Sequence, residues 1–278
     1  MQTPSPWGFT KVTSGLTYRV RYRPQSNEMS ETKSIRVLVW DENPSHADMK
    51  LYPGNLRAAI AEGLNELNQN GELVVKTAHL DEPDQGVSDE ILAETDVLVW
   101  WGHARHGEVA DSLAERVKER AYKHGLGVVV LHSGHYSKVF KEVVGGPGHL
   151  KGGWRESTDS ETIRVCAPWH PVAAGVEDFV LENEEMYGAP FDVPPCETLV
   201  FQSLFSVGGE SFPSGMAWTV GDGIDPEFTS GPGGGKGQGE GKSRLFYFRP
   251  GHETYPTYLD SRVRKVIYNA VRWAGRLV

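Results

Sequence analysis

Short runs of apolar, largely β-branched residues alternate with segments of helical periodicity along most of the chain. These runs are apolar almost throughout, which is typical of strands covered on both faces of a parallel sheet. They span residues 35–40, 73–78, 97–101, 128–131 and 244–248. Helices are predicted at 53–68, 112–124, 136–143 and 260–274. Because alternating strands and helices favour parallel pairing with right-handed crossovers, we predict an α/β three-layer sandwich with a mostly parallel central sheet.

The first 34 residues do not follow this alternation. They carry five basic and two acidic residues in a chain whose net charge is −9, and they are rich in Pro, Ser and Thr. We predict a mobile N-terminal tail over 1–34, with at most a short strand at 16–22, and a single domain over 35–278. Met29 leads directly into the first core strand, so we expect residues 1–28 to be an upstream extension.

Residues 145–243 are also less regular, with many glycines and prolines between short strand-like segments. These segments lie at 162–167, 179–181, 198–202 and 216–220. We predict that they form antiparallel additions and loops before the final strand, rather than a second domain. The glycine run at 221–241 lacks the spacing of a phosphate-binding loop, because Lys236 stands where its first glycine would be. It is predicted to be a flexible surface loop.

Charge and cysteine content exclude several classes of protein. A net charge of −9 argues against nucleic acid as a partner, since phosphate binding needs a basic surface. No apolar run approaches the roughly 18 residues that a membrane span requires. Cys166 and Cys196 are the only cysteines and do not form a Cys-x-x-Cys pair. We therefore expect a cytoplasmic protein without a cysteine-based zinc site or a membrane partner.

Histidines follow three of the predicted strands at the points where those strands end. His103 and His106 follow 97–101, His132 and His135 follow 128–131, and His252 follows 244–248. Because the carboxyl ends of parallel strands line one crevice, where ligands bind, we expect these imidazoles to lie around one pocket. A single histidine in a loop needs no functional explanation, but three strand ends together indicate a site.

Two kinds of chemistry are compatible with such a pocket. Histidines can act as acid/base groups, or they can bind a divalent metal, zinc above all, with one position left open to substrate. The expected metal ligands are His103, His106, His135 and His252. None of them forms the i, i+4 helical pair of strong metal motifs, and Glu185 is a candidate carboxylate beside them.

The turn around Ser133 offers a different reading. A small hydroxyl residue beside a glycine, between a strand and a helix, resembles a nucleophile elbow, although Leu131 and His135 replace the flanking glycines of that motif. His252 and Glu253 would then be the base and orienting acid of a Ser-His-Glu triad. A turn serine without a catalytic role is at least equally compatible with the sequence.

Four motifs in order give the chain a family resemblance. Trp-Gly-His at 101–103, Leu-His-Ser-Gly-His at 131–135, Glu-Glu-Met-Tyr-Gly at 184–188 and Arg-Pro-Gly-His-Glu-Thr-Tyr-Pro at 249–256 resemble those of the ThuA-like, or trehalose-utilisation, family. The resemblance covers about 35–276. It implies a class I glutamine-amidotransferase-like, flavodoxin-like fold and a role in the metabolism of trehalose, related disaccharides or their keto forms. By motif, Ser133 stands where the amidotransferases have cysteine, so a cysteine-dependent glutaminase is not expected.

From these observations and the family resemblance we predict a carbohydrate-active enzyme, which is a hydrolase, an isomerase or a lyase. Its expected partner is a small sugar. The expected catalytic residues are His103, Ser133, His135, His252 and Glu253. The expected substrate contacts are His46, Trp101, His132, Glu185 and Tyr187. No glycine-rich fingerprint follows the first strand, so we expect neither nicotinamide nor flavin. A Ser133-dependent hydrolase and a non-catalytic sugar-binding protein are the alternatives, and self-association through exposed helices or edge strands is compatible with either.

Overall fold

A computed structural model describes residues 34–221 and 242–278 of the chain. Nearly all of the predicted N-terminal tail, with its short strand at 16–22 and the start at Met29, lies outside the described residues, as does most of the glycine run at 221–241. The division into a tail and a single domain therefore stays a prediction.

The described residues form a mixed α/β fold around one large sheet of nine strands. Its strands are β1 (Ile35–Asp41), β2 (Leu73–His79), β3 (Val97–Trp101), β4 (Gly127–Leu131), β6 (Trp154–Val165), β7 (Phe179–Tyr187), β9 (Thr198–Phe205), β10 (Ser211–Val220) and β11 (Ser243–Phe248). Two short strands, β5 (His149–Leu150) and β8 (Phe191–Asp192), pair separately. The helices are α1 (Asn55–Leu67), α2 (Asp89–Ala93), α3 (Asp111–His124), α4 (Lys138–Val144) and α5 (Ser261–Ala274).

The sheet has a parallel part and an antiparallel part. Its order is β2-β1-β3-β4-β11-β10-β9-β6-β7, and the first five strands are parallel to one another. From β10 onward the pairs are antiparallel. The predictions of five parallel strands and of antiparallel additions before the last of them are therefore confirmed. All five of the parallel strands end at one edge, and that edge carries the histidines.

Alternate residues of the parallel strands face two separate apolar layers. Val37 and Val39 of β1 pack with α1 and α5, whereas Leu38 and Trp40 pack with α3 and α4. All residues of β3 and β4 are buried, as their apolar sequences require. The helices therefore cover both faces of the sheet and hold the strand ends in fixed positions.

Two of the helices differ from the sequence prediction. The helix predicted at 136–143 begins at Lys138, because residues 132–136 form a tight 3-10 turn and the Ser137 hydroxyl accepts the Phe140 N–H as an N-cap. Helix α2 was missed because five residues are too few to show a helical period. No helix within 34–221 or 242–278 is long and apolar enough to cross a membrane.

Candidate functional site

Three loops that follow parallel strands bring their imidazoles together at the carboxyl edge of the sheet. His103 follows β3, His132 follows β4 and His252 follows β11. The ring centroids of His103 lie 5.1 Å from His132 and 5.0 Å from His252, and those of His132 and His252 are 5.5 Å apart. Three strands that are adjacent in the sheet thus deliver one imidazole each to the same point.

These three histidines and Glu253 form a compact donor set. Each offers one nitrogen or oxygen, and these four atoms lie within 4.8 Å of one another. The set expected from sequence contained His103 and His252 but also His106 and His135, which are not members of this group. His132, expected to contact substrate, takes a place in it instead.

Backbone geometry at the end of β4 explains this difference. His132 has φ of 53°, in the left-handed region that residues other than glycine rarely adopt. The strained position of the turn is thus His132 rather than Ser133. The His135 ring lies one turn further on, where its Nδ1 is 2.7 Å from the carbonyl oxygen of Gly148. His106 lies on a separate short turn and packs against the Tyr136 ring at 5.9 Å.

His132 and His252 are each held through Nδ1. Nδ1 of His132 is 3.3 Å from the carbonyl oxygen of Arg249, and Nδ1 of His252 is 2.8 Å from Oγ1 of Thr254. Nε2 of each ring lies farther from its neighbours: for His132, 3.4 Å from Oε2 of Glu185 and 3.5 Å from the Tyr187 hydroxyl, and for His252, 3.9 Å from Oε1 of Glu156. Metal-binding histidines usually donate one ring N–H to a protein oxygen and direct the other nitrogen at the ion; the contact of His132 with the Arg249 carbonyl fits this arrangement, whereas Nδ1 of His252 also accepts the Thr254 N–H at 3.3 Å.

Glu253 holds the third imidazole. Its Oε1 is 2.7 Å from Nδ1 of His103 and also contacts Nε2 of the half-exposed His46. Burial alone would raise the pKa of the Glu253 carboxyl, but the hydrogen bond from His103 and the charges of His103 and His252 lower it to about 2. Burial tends to lower the pKa of His103, but Glu253 outweighs it and the net pKa is raised. Glu253 is thus an ionised acceptor that orients His103.

Four other histidines of this edge have lowered pKa values, which favours their neutral form. Burial lowers the pKa of His132 well below its usual value and lowers that of His252. Burial also lowers the pKa of His106 to about 4 and that of His135 to about 3. Neutral imidazoles have a lone pair available for a metal or a substrate proton.

A pocket of about 360 Å³ opens beside the donor set. This volume lies within the range of small-molecule sites, about 300–1,000 Å³. Its lining residues are His103, His106, Ser133, His135, Tyr136, His149, Leu150, Trp154, Glu185 and Tyr187. Sequence reasoning placed six of them at the site but did not assign Tyr136, His149, Leu150 or Trp154.

Glu185, Tyr187 and Ser133 form the polar wall of this pocket. Oε2 of Glu185 is 3.4 Å from Nε2 of His132 and, within the described residues, makes no hydrogen bond. Burial raises the pKa of Glu185 to about 7. The Ser133 hydroxyl is hydrogen-bonded to the Tyr187 hydroxyl.

The alternative Ser-His-Glu triad lacks the hydrogen bond between its serine and its histidine. In the part of the chain that the structure describes, no hydrogen bond joins Ser133 to His252, and Nδ1 of His252 is engaged by Thr254. A serine nucleophile needs its base within hydrogen-bond distance. The geometry therefore does not assemble Ser133, His252 and Glu253 into a triad.

Three expected substrate contacts lie outside the pocket lining: His132, which belongs to the donor set, Trp101 and His46. Trp101 is fully buried, donates its indole N–H to the Gly251 carbonyl at 3.0 Å and stacks with His132 at a centroid distance of 6.2 Å. Its role is to support the His132 ring, because its position in β3 points it into the core. His46 lies beside Glu253 with its side chain 45% exposed.

A buried charge cluster beneath the site was not anticipated. Arg249 is 0% exposed, and its Nε lies 2.9 Å from Oε1 of Glu161 while its Nη2 lies 3.2 Å from Oε2 of Glu184. Nη1 of Arg249 donates to the backbone carbonyl of Glu185. Arg249 thus connects β11 to β6 and β7 and fixes the backbone that carries Glu185.

Glu42, which was not among the predicted site residues, fixes the loop that carries His103. Its carboxylate, 1% exposed, accepts the backbone N–H groups of His103 at 2.9 Å, Ala104 at 2.6 Å and Arg105 at 2.9 Å. Three donors to one carboxylate define the path of this loop. The only sequence signal was an acidic residue directly after β1.

Comparisons with known proteins agree with this fold. The family model described as ThuA, trehalose utilisation, matches residues 36–274. A Parabacteroides merdae protein described as ThuA-like superposes with a TM-score of 0.58 and 14% identity, over 87% of this chain and 90% of its own. A cytoplasmic protein of Salmonella typhimurium gives a TM-score of 0.49 and 15% identity, over 86% of this chain and 99% of its own. The comparison with curated proteins gives no significant match.

The family model spans nearly all of the chain, from β1 to the end of α5. It includes the four motifs from which the resemblance was predicted, and that prediction is confirmed. The chain belongs to the ThuA, or trehalose utilisation, family.

Proposed function

We propose that the chain is an enzyme of carbohydrate metabolism that binds zinc, or a similar divalent cation, through His103, His132 and His252. The observation that carries the proposal is the convergence of three imidazoles whose Nδ1 atoms are all engaged by protein oxygens. Catalytic zinc sites commonly have three protein ligands and an open position. The site then has three histidine ligands, and Glu253 is the carboxylate that orients His103.

A cation at this position would act as a Lewis acid toward a substrate oxygen. Glu185 lines the pocket beside His132 and is the group placed to transfer a proton at the substrate. The Ser133 and Tyr187 hydroxyls can donate to or accept from sugar hydroxyl groups. Neither cysteine lines the pocket, so thiol chemistry has no group there.

The substrate class follows from the family and the pocket together. Membership of the trehalose utilisation family favours trehalose, a related disaccharide or a keto-sugar derived from one. The pocket lining contains both polar and aromatic side chains, as expected for a ligand with hydroxyl edges and apolar C–H faces.

We further propose that the fold is flavodoxin-like and related to class I glutamine amidotransferases. The order of the five parallel strands, β2-β1-β3-β4-β11, supports this relation because it is the 2-1-3-4-5 order of flavodoxin-like sheets.

Metal analysis of protein without a histidine tag tests the proposed cation site. We expect one zinc per chain to survive dialysis in the wild type and in His149→Ala, a variant in the pocket lining but outside the donor set. His132→Ala and His252→Ala should lose affinity by more than the roughly 10- to 100-fold that outer-shell changes cost. Metal-free protein with full turnover would contradict the proposal.

Turnover is tested separately with a panel of disaccharides and their 3-keto derivatives. We expect at least one to be converted, at a rate that falls after metal removal and recovers when zinc is added. Binding without conversion of any of them would show a sugar-binding protein rather than an enzyme.

A further inference from the structure

The pocket changes character between its floor and its mouth. The side chains of Ser133, His135 and Tyr187 at the floor are buried. The mouth carries Trp154, which is 65% exposed, and Tyr136, which is 43% exposed. A ligand that enters this pocket therefore meets aromatic surfaces before it reaches the polar groups.

Trp154 is held in place by the backbone around it. It is the first residue of β6 and lies directly opposite Tyr187 of β7 in the antiparallel register. Opposite residues of such a pair project from the same face of the sheet. The indole therefore extends the wall that Tyr187 begins, outward from the buried hydroxyl groups.

The segment before Trp154 is packed too closely to move freely. The Gly152 N–H donates to the Gly188 carbonyl at 3.2 Å, and the Gly188 N–H donates to the Gly153 carbonyl at 2.9 Å. A Cβ on Gly152 would lie 2.3 Å from the carbonyl oxygen of Ala189, so only glycine fits. This close approach fixes the backbone of the strand that presents the indole, so a ligand that contacts the indole does not have to order that backbone.

Tyr136 gives the mouth a second fixed aromatic surface. The ammonium group of Lys141 lies 3.4 Å from the centre of its ring, and the His149 ring lies 5.3 Å from it. Both contacts restrain a side chain that would otherwise be free at the surface.

We propose that Trp154 forms an outer subsite, which stacks on the non-reacting ring of a disaccharide while the reacting ring occupies the polar floor. The proposal rests on the function proposed above and specifies its substrate as two-ringed. A sugar ring has an apolar C–H face, and burial of that face against an indole stabilises the complex. The polar side chains of the floor distinguish hydroxyl from carbonyl groups on the reacting ring. The number of rings in the substrate is recognised by Trp154 at the mouth.

Binding of trehalose, 3-ketotrehalose and glucose to Trp154→Ala tests the subsite. We expect either disaccharide to bind about tenfold more weakly, a change of about 1.4 kcal/mol, while glucose affinity changes by less than about twofold. Trp154→Phe keeps a ring and should retain most of the affinity. The matched control is Trp169→Ala, because Trp169 is 77% exposed but does not line the pocket.

The outcomes separate this proposal from the proposed function. Trp154→Ala should keep its zinc, since the indole is not part of the donor set. If the wild type binds disaccharides and Trp154→Ala binds them equally well, the subsite is refuted and the proposed function stands. Equal weakening of glucose and disaccharides also refutes it. If the wild type binds none of these sugars, both proposals fail.

Discussion

Replacing Arg249 with methionine removes the only cation from a buried cluster that contains two carboxylates. Arg249, Glu161 and Glu184 are all 0% exposed. The substitution keeps a side chain of similar length, so it removes the charge and the hydrogen bonds without opening a large cavity. Glu161 and Glu184 would then lie in the core with no opposite charge between them.

The structure sets the size of the expected effect. Breaking a buried ion pair by removing one partner costs about 3–5 kcal/mol, since an uncompensated charge stays in the protein interior. Folded domains are stable by only about 5–15 kcal/mol, so the variant should lose a large share of its stability. The matched control is Arg36→Met, because Arg36 binds Asp96 with two hydrogen bonds of 2.9 and 3.0 Å but its side chain is 50% exposed. That exposed pair should contribute no more than about 1 kcal/mol.

The loss should depend on pH in a defined direction. Burial raises the pKa of Glu161 above its usual value, and the charge of Arg249 opposes that rise. Without Arg249 the pKa in the folded state rises further, so the folded variant binds more protons than its unfolded chain does. Its stability therefore falls as pH rises, by about 1.4 kcal/mol per pH unit for each proton taken up. The free energy of unfolding that Arg249→Met loses relative to the wild type should be largest near about pH 8 and should become smaller toward about pH 6.

Urea unfolding, followed by tryptophan fluorescence at several pH values, measures these differences. The reasoning would be refuted if Arg249→Met and Arg36→Met lost similar free energy of unfolding, or if the deficit of Arg249→Met grew as pH fell. Either result would mean that the Glu161 carboxyl does not depend on Arg249 for its charge balance.

Two further predictions concern the turns that build the site. Ser133→Ala should retain turnover within about tenfold, whereas His252→Ala should lose about a thousandfold or more, and equal losses in steady-state assays would restore the triad. Gly145 and Gly148 both have positive φ, but a Cβ on Gly148 would lie 2.1 Å from the His135 carbonyl oxygen while one on Gly145 meets nothing within 4 Å. We expect Gly145→Ala to cost about 1–2 kcal/mol and Gly148→Ala clearly more, and urea unfolding that ranked them the other way would contradict the clash.

The parallel half of the sheet was predictable because its strands are continuous apolar runs. The strands predicted at 97–101 and 128–131 agree with β3 and β4 to within one residue. The antiparallel half was predictable only as short pieces. Strand β6 begins at Trp154, whereas the sequence predicted a start at 162. The first part of the strand was not predicted because residues 155–161 are polar and show no apolar alternation. Its pairing with both β7 and β9 follows from the folded sheet and not from any local pattern.

The edge at which the site lies could also be predicted, but the ligand set could not. The rule for parallel strands places His103, His132 and His252 at one edge, whatever their orientation. Which imidazoles meet depends on the backbone of the loops, and His132 has a positive φ that a residue other than glycine rarely adopts. The sequence His-Ser-Gly-His at 132–135 is equally compatible with a geometry in which His135 faces the donor set.

Glu253 was predicted as an acid that orients His252, but the groups that the carboxylates of the site hold could not be predicted, for a related reason. Glu42 acts on a loop about sixty residues away, and Glu253 acts on His103 across 150 residues. Hydrogen bonds of such separation leave no periodic trace, since each depends on the final packing of several elements. They also affect the chemistry, because Glu253 orients His103 and raises its pKa while burial lowers the pKa of His132 and of His252. The three imidazoles are alike in sequence, and their different roles arise from partners that only the fold brings to them.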